Sequence, residues 1–244
     1  GLPAGYPFHS RHAQISAPAT RRALLQAVPM IAAPGSVNLY SDLGPMLLAE
    51  ALSAISGKDL ATAAHDMVFA PLGMTSACFN PPADHRSHCV PTELITLADT
   101  DAGDAWQGVV HDENARWYGG VAGHAGLFAA VADLERFARM MLNDGTPLYK
   151  PATVRTFAQP ALLIPDSTRC LGWDSPGSPC SGGTHVSPQA FGHTGFTGTS
   201  FWIDPPQDLA VILLTNAVHP HRHCKDHGYF TWRNRVHSAA YETT

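Results

Sequence analysis

The chain has 244 residues, of which 45% are hydrophobic and 14% charged, with a formal net charge of −5. These values indicate a globular protein that is long enough to bury a sizeable core. The negative charge and the lack of a lysine- and arginine-rich run argue against a nucleic-acid partner. No apolar stretch of the sequence is long enough to span a bilayer. Five cysteines without a Cys-x-x-Cys pair indicate mostly free thiols.

The first part of the chain predicts helices separated by turns. Loop-forming residues surround a short helix near residues 18–28. Apolar residues then recur at helical spacing over residues 42–55, and Gly57 stands where that helix is expected to end. A further helix is predicted over residues 59–69, before the Pro-Leu-Gly-Met sequence at 71–74.

The second half of the chain predicts helices followed by strands. Asp133 is the predicted N-cap of a helix that ends at residues 143–145. Pro151 is well placed to begin a shorter helix. Residues 199–204 and 209–215 alternate or run apolar on either side of a Pro-Pro-Gln-Asp turn, and this pattern predicts a β-hairpin.

A final helix is predicted over residues 229–241. Helices in the middle of the chain, strands late and a closing helix predict an α+β fold with an antiparallel sheet. We expect a single domain over residues 1–244, with a helical part over about 15–160 and the sheet with its closing helix over about 165–244. The sequence shows only two or three clear strands, fewer than a stable layered domain requires.

Residues 193–196 combine a histidine, a threonine, a glycine and a phenylalanine at the start of the predicted hairpin. Such a strand edge suits one wall of an active site, with His193 and Thr194 facing a substrate. Gly195 would let the substrate lie against the strand backbone, and the N–H of Phe196 would face a developing oxyanion. Taken alone, the segment is more typical of a glycine-rich turn before a buried strand.

Tyr40, Ser41 and Asp42 directly precede the strongest predicted helix. An N-cap role accounts for Ser41 or Asp42. It does not account for Tyr40, whose phenol could transfer a proton if a nearby cation lowered its pKa.

A polar loop over residues 111–114 leads into a glycine-rich turn over 119–126. Phosphate binding is one interpretation, but the glycine spacing matches no nucleotide-binding loop. We expect close backbone packing at the wall of a site, with His124 as a neighbour of that site. A buried structural histidine is an equally good interpretation of His124.

A cluster of possible metal ligands lies late in the chain. Its members are His219, His221, His223, Cys224 and His227. Zinc could use three or four of them, but Pro220 interrupts the spacing and no standard pattern fits. A solvent-exposed turn is the favoured interpretation, so we expect neither a metal nor another cofactor.

Four motifs in order resemble the serine β-lactamase-related family, which includes class C β-lactamases, D-alanyl-D-alanine peptidases and esterases of the same fold. They are Tyr40-Ser41-Asp42 before an amphipathic helix, Pro71-Leu72-Gly73-Met74, the turn at 119–128 with Asp133-Leu134 after it, and His193-Thr194-Gly195. The resemblance spans nearly the whole chain. It implies a β-lactamase/transpeptidase-like fold, in which helices flank an antiparallel sheet.

The resemblance also implies roles for individual residues. Tyr40 becomes a candidate general acid/base that relays the proton of the nucleophile. His193 would support the Tyr40 hydroxyl and the substrate, and the N–H of Phe196 would be an oxyanion donor. Asp42 stands where the family usually has asparagine, and an ionised carboxylate only accepts hydrogen bonds.

The family's nucleophile lies in a Ser-x-x-Lys motif, and no serine of this chain has a lysine three positions later. Ser36, Ser53 and Ser56 all fail this test. The family places the motif well before a segment that resembles residues 1–5. We therefore expect that this chain lacks the nucleophile helix and the N-terminal strands of the sheet.

The expected function is acyl-enzyme hydrolysis of a small-molecule ester, or of an amide or β-lactam, with this chain inactive by itself. One alternative is a non-catalytic β-lactamase-like binding or regulatory protein. Another is a metal-dependent hydrolase that uses residues 219–227. A second copy or a complementary N-terminal fragment is a reasonable partner for an incomplete sheet. The compartment stays open, cytoplasmic or periplasmic, because any export signal would precede residue 1.

Overall fold

The computed structural model describes residues 1–95, 105–161, 164–165 and 167–242. The chain divides into two compact units. Unit 1 consists of Gly1–Pro71, Thr75–Cys89 and Gln107–Ala129. Unit 2 consists of the described residues within Leu72–Met74, Val90–Trp106 and Ala130–Thr244. The expected single domain, with a boundary near residue 160, stays a prediction.

Unit 1 is mainly helical. Its first helices are α1 (Phe8–Arg11), α2 (Pro18–Gln26), α3 (Leu43–Ser56) and α4 (Leu60–Ala64). Helix α4 continues as a π-helical turn, His65–Phe69, and as the last turn α5, Ala70–Leu72. Further along come strand β1 (Cys78–Phe79), a 3-10 helix (Ala83–His88), helix α6 (Glu113–Trp117) and strand β2 (Leu127–Phe128).

The core of unit 1 forms where α1, α2, α3 and α6 meet. Its buried members are Phe8, Leu25, Leu43, Met46 and Trp117. The rings of Phe8 and Trp117 are stacked, with their centroids 5.0 Å apart. Because Leu43 and Met46 lie in the first turn of α3, this core fixes the start of that helix.

Unit 2 contains helices α7 (Val131–Leu142), α8 (Pro151–Ala158) and α9 (His227–Glu242). Its three strands are β3 (Phe191–Thr194), β4 (Ser200–Asp204) and β5 (Leu209–Leu213). Short 3-10 helices, Pro205–Gln207 and Arg222–Cys224, complete the elements. The strands form an antiparallel sheet in the order β3-β4-β5, and His193 of β3 lies opposite Phe201 of β4.

Helices α7 and α8 share an apolar core with the sheet. Its buried members are Met140, Met141, Val154, Phe191 and Ile203. Trp173 packs edge-on against Phe191 and Phe201 at centroid distances of 5.3 and 6.1 Å. Strand β3, which carries His193 and Thr194, is therefore fixed by its hydrogen bonds to β4 and by the packing of Phe191 in this core.

The predicted α+β architecture with an antiparallel sheet is confirmed. Helices over Pro18–Gln26 and Leu43–Ser56 and the hairpin β4–β5 form where the sequence predicted them. The predicted N-cap role of Asp133 is wrong. The N-cap is Ala130, three residues earlier, and helix α7 begins at Val131, so Asp133 lies buried in the first turn.

The five cysteines are free thiols, as their spacing predicted. In the part of the chain that the structure describes, no helix combines the length and the apolar character needed to cross a membrane.

Candidate functional site

The first predicted motif lies at the entrance to α3. The hydroxyl of Ser41 donates to the carbonyl of Pro3 at 2.6 Å and accepts from the backbone N–H of Leu43 at 3.2 Å. The carboxylate of Asp42 makes no capping hydrogen bond to α3. Ser41 thus fixes the helix entrance, which leaves Asp42 to face other groups. Tyr40 precedes them with 57% of its surface exposed.

The glycine-rich turn packs against the same helix entrance. A Cβ atom on Gly123 would lie 2.0 Å from the carbonyl oxygen of Pro45, so only glycine permits this approach. Gly120 has a positive φ of 83°, and a Cβ there would overlap the side chain of Asn80. The expected close backbone packing is therefore present, and it places His124 beside the start of α3.

His124 and Asp42 meet a third residue, Asp112. Oδ1 of Asp112 lies 2.9 Å from Nε2 of His124 and accepts from the N–H of Ala115 at 2.7 Å, which caps α6. One ligand-type atom from each of Asp42, Asp112 and His124 lies within 4.8 Å of the others. The side chain of His124 is only 7% exposed. Unit 1 thus contains a half-buried cluster of two carboxylates and one imidazole.

The two carboxyl groups of this cluster differ in their electrostatics. Burial raises the pKa of Asp42, the nearby imidazole of His124 lowers it, and the charge of Asp112 raises it, with a net upward shift. Burial also acts to raise the pKa of Asp112. Hydrogen bonds from His124 and from the Ala115 N–H outweigh that effect, so the net shift of Asp112 is downward.

The second predicted motif lies at the edge strand of unit 2. Nδ1 of His193 lies 2.8 Å from the carbonyl oxygen of Thr194, and Nε2 lies 3.3 Å from Nη1 of Arg169. A carbonyl only accepts and a guanidinium only donates. These contacts assign the neutral tautomer with the proton on Nδ1. Arg169 is held in turn by Asp174, 3.5 Å away.

Asp174 also protects the outer edge of β3. Its backbone N–H and carbonyl exchange hydrogen bonds with Gly192 at 2.7 and 2.9 Å. A Cβ atom on Gly192 would lie 2.4 Å from the indole of Trp202, so this position requires glycine. The edge is therefore paired up to Gly192, and the segment that follows carries the predicted site residues.

The turn after β3 depends on Gly195 for an internal reason. The N–H of Gly195 donates to the carbonyl of Thr199 at 2.7 Å, and a Cβ atom on Gly195 would lie 2.2 Å from the Thr199 hydroxyl oxygen. Sequence reasoning assigned the absence of a side chain to substrate access. The structure adds that the turn itself needs it.

Phe196 extends from this turn with 59% of its surface exposed. The ammonium of Lys225 donates to the Phe196 carbonyl and lies 3.9 Å from the centroid of its ring. A cation over an aromatic face stabilises both groups. Lys225 therefore fixes the backbone of the residue whose N–H is the predicted oxyanion donor.

The His-rich turn is held by contacts to residues 92 and 93. His219 Nδ1 donates to the Thr92 carbonyl at 2.7 Å, and Arg222 pairs with Glu93 at 2.7 Å. Within residues 1–95, 105–161, 164–165 and 167–242, the single group of three with metal-ligand spacing is the Asp42 cluster instead.

Each predicted site residue thus has a defined environment within its own unit. Asp42 and His124 lie together in unit 1, and His193 through Phe196 are contiguous in unit 2. Sequence reasoning assigned no role to three neighbours, Asp112, Arg169 and Lys225. The position of Asp112 could have been predicted from the sequence, because an Asp before a short helix is a typical N-cap. Arg169 and Lys225 reach their partners across 24 and 29 residues, and local patterns carry no such information.

Comparison with known proteins identifies a family and several relatives of this chain. A family model described as Beta-lactamase matches residues 1–231. A protein of Escherichia coli (strain K12) named "Putative D-alanyl-D-alanine carboxypeptidase" is 34% identical over 214 residues, covering 80% of this chain and 49% of that protein. The chain therefore spans about half the length of the curated relatives it matches.

Solved structures agree on the fold. A penicillin-binding protein homologue from Caulobacter crescentus matches with a TM-score of 0.66 and 18% identity, over 94% of this chain and 67% of that one. A simvastatin synthase from Aspergillus terreus matches with a TM-score of 0.64 and 17% identity, over 98% and 64%. A β-lactamase from Mycobacterium bovis matches with a TM-score of 0.59 and 22% identity, over 88% and 67%. The expected β-lactamase/transpeptidase-like fold is confirmed.

Proposed function

The chain belongs to the β-lactamase family, and on that premise we propose that it carries two parts of the acyl-transfer site of a serine hydrolase. One part is the Tyr40 segment, and the other is the strand edge at residues 193–196. In this proposal the nucleophilic serine and its lysine lie outside the chain. The main support for this proposal is that the family match over residues 1–231 includes both motifs. The Tyr40 segment lies at a capped helix entrance, and residues 193–196 begin on an edge strand.

The proposed reaction is a two-step acyl transfer. The serine Oγ attacks the substrate carbonyl carbon, and the Tyr40 hydroxyl relays the proton: it accepts the Oγ proton and gives its own to the leaving group. Water then attacks the acyl-enzyme carbonyl, Tyr40 accepts a proton from the water and gives its own to the serine Oγ, and the acid is released. The N–H of Phe196 donates to the oxyanion in both steps.

The remaining residues shape and position the site. Thr194 and Gly195 form the wall against which the substrate lies. His193 is a neutral ring that ties Arg169 to the strand edge and can support a hydroxyl group. Lys225 supports the proposal because its bond to the Phe196 carbonyl holds this residue in place before substrate binds.

Two substrate classes are proposed. An ester is favoured because His193 stands where the family also uses lysine, and because the Asp42 carboxylate cannot donate to an amide carbonyl when it is ionised. An amide of the D-alanyl-D-alanine type is the second class, since the curated relatives bear that name.

A partner for the sheet is also part of this proposal. Strand β5 lies at the opposite edge of the β3-β4-β5 sheet, and all five of its apolar residues are only half-buried. Such an edge favours pairing with a further strand, from a second copy or from a complementary N-terminal fragment. Light scattering during size exclusion tests this, and a stable dilute monomer would count against self-association.

The deciding experiment treats the isolated chain with a fluorophosphonate and, separately, with a labelled penicillin. Mass spectrometry is expected to show an unmodified protein, because no serine of the chain has a lysine three positions later. A stoichiometric adduct would overturn the proposal that the nucleophile lies elsewhere. The non-catalytic binding function gains support if the gene encodes no Ser-x-x-Lys before residue 1.

A further inference from the structure

Helix α9 is attached to the sheet through polar groups that the acyl-transfer proposal does not use. Among its described residues, His227–Glu242, His237 is the one that is fully buried. Nε2 of His237 lies 2.7 Å from the hydroxyl oxygen of Ser200, the first residue of β4. One turn further on, the hydroxyl of Tyr241 donates at 3.0 Å to Oδ2 of Asp204, the last residue of that strand. The contact between α9 and β4 thus depends on hydrogen bonds.

The other face of β4 packs on an apolar core. Phe201 and Ile203 alternate with Ser200 along the strand, so their side chains point to the opposite face. Both pack in the core that the sheet shares with α7 and α8, and none of the described members of that core comes from α9. Helix α9 can therefore separate from β4 without breaking this core.

The surroundings of His237 suit a neutral ring and oppose a charged one. A protonated ring has an N–H on both nitrogens, but Nδ1 is buried without a hydrogen-bond partner among the described residues. The neighbouring strand contributes only the Ser200 hydroxyl, and the loop before β3 approaches through Gly183, where a Cβ atom would lie 2.7 Å from the backbone nitrogen of Ser238. The charged group that acts on His237 is Arg233, one turn earlier in α9, and it repels a second cation. Burial and this charge lower the pKa of His237 to about 4.

The first part of α9 and the residues before it hold the turn that follows β3. The hydroxyl of Tyr229 donates to the carbonyl of Gly198, and the ammonium of Lys225 donates to the carbonyl of Phe196. The same helix therefore contacts β4 through its second half and the turn at residues 195–199 through its first half. Movement of α9 away from the sheet would remove the support of this turn.

We propose that His237 is an acid-sensitive switch, in which protonation of its ring releases α9 from β4 and loosens the turn at 195–199 while the sheet stays packed on α7 and α8. Release takes up one proton from solvent and breaks the hydrogen bond between His237 and Ser200. In released α9 the ring meets water and regains its ordinary pKa of 6.5, so acid favours the released state between pH 6.5 and about pH 4. The effect on the oxyanion donor Phe196 rests on the proposed function, and the release of α9 does not.

Hydrogen exchange of the chain at pH 7 and pH 5, corrected for the intrinsic exchange rates, tests the proposal. From the two pKa values we expect the protection of the α9 amides to fall roughly 20-fold between these pH values and to stay below that of the α7 amides. The N–H of Gly195, which donates to Thr199, should lose protection together with α9. Equal protection of α9 and α7 at both pH values would mean that unit 2 opens as a whole, and the proposal would be wrong. Release of α9 with unchanged protection of Gly195 would overturn the effect on the turn.

Variants of α9 assign the effect to one ring. His237→Gln keeps a neutral polar group near Ser200 and should remove the dependence on pH. Arg233→Gln leaves the buried ring in place but removes the repelling charge, so an NMR titration should give a pKa of His237 nearer to 6.5 and exchange should show a smaller fall in protection. The matched control is Arg235→Gln, an exposed arginine of the same helix, which should behave as the wild type.

Wild-type pH dependence in both His237→Gln and Arg233→Gln would overturn the assignment to His237. None of these measurements needs a nucleophile or a substrate. A failure of the acyl-transfer proposal would therefore appear in the acylation experiments and leave this test unaffected.

Discussion

The carbonyl oxygen of Pro45 lies 2.0 Å from the place that a Cβ atom on Gly123 would occupy. This approach seats the glycine-rich turn on the first turn of α3. It is also what brings His124 to Asp42, because the histidine follows Gly123 directly. The absence of a side chain at Gly123 thus lets the glycine-rich turn pack on the start of α3, beside the cluster that contains Asp42 and His124.

Substitution of this glycine should destabilise the protein. In Gly123→Ala the new methyl group meets a backbone carbonyl that cannot rotate away, so we expect a loss of about 2 kcal/mol or more in the free energy of unfolding. Urea denaturation measures it. The control is Gly44→Ala within α3, where a Cβ atom has nothing within 4 Å. That variant should be neutral or more stable by up to ~1 kcal/mol, and equal effects of the two variants would contradict the packing described.

The tautomer of His193 should depend on Arg169. The guanidinium donates to Nε2 and so favours the proton on Nδ1. In Arg169→Leu that donor is lost while the Nδ1–H bond to the Thr194 carbonyl remains, so we expect the share of the other tautomer to rise without becoming the majority. Nitrogen-15 chemical shifts of the imidazole at neutral pH report this directly. Ring shifts that stay unchanged in the variant would show that Arg169 does not set the tautomer.

Mild acid should destabilise unit 2 through His237. This residue of α9 is fully buried, and Nε2 lies 2.7 Å from the hydroxyl oxygen of Ser200. Burial, followed by the charge of Arg233, lowers the pKa of His237 from 6.5 to about 4. Between pH 6.5 and about pH 4 the imidazole of His237 is protonated in the unfolded chain and neutral in the folded chain. The contribution of His237 to the free energy of unfolding is therefore complete above pH 6.5 and is lost as the pH falls towards 4.

The size of this effect can be measured by urea denaturation at pH 7 and pH 5. From the two pKa values we expect His237 to account for a loss of about 2 kcal/mol between these pH values. His237→Gln should have a correspondingly flatter pH dependence, and the exposed His223→Gln should retain the wild-type dependence. The assignment to His237 is wrong if its variant loses stability with pH as steeply as the wild type.

Local pattern was enough to predict the elements that depend on neighbouring residues. Helix α3 follows from apolar spacing and from Gly57, whose left-handed φ of 70° ends it. The hairpin of β4 and β5 follows from alternation around a turn. Helix α7 shows the usual error at a boundary, since Asp133 fits a cap position although the backbone turns helical at Val131.

The contacts that shape the candidate site depend on distant residues, and single-sequence patterns do not encode them. Strands β1 and β2 have two residues each and pair Cys78 with Phe128, far along the chain. Nothing in a two-residue strand specifies its partner. The same is true of Lys225, which reaches Phe196 from beyond β5. The motifs themselves were visible, but the groups that hold them in place were not.

The central claim is that Tyr40 and the strand edge at 193–196 serve a serine that this chain does not contain. The most direct measurement is the rate of serine phosphonylation by a fluorophosphonate, by intact mass, for three proteins. They are the isolated chain, the same chain extended by any Ser-x-x-Lys segment that its gene encodes before Gly1, and that extended protein with Tyr40→Phe. We expect no adduct on the first, one adduct on the Ser-x-x-Lys serine in the second, and phosphonylation at least 100-fold slower in the third. An adduct on the isolated chain, or undiminished phosphonylation of the Tyr40→Phe protein, would contradict the account.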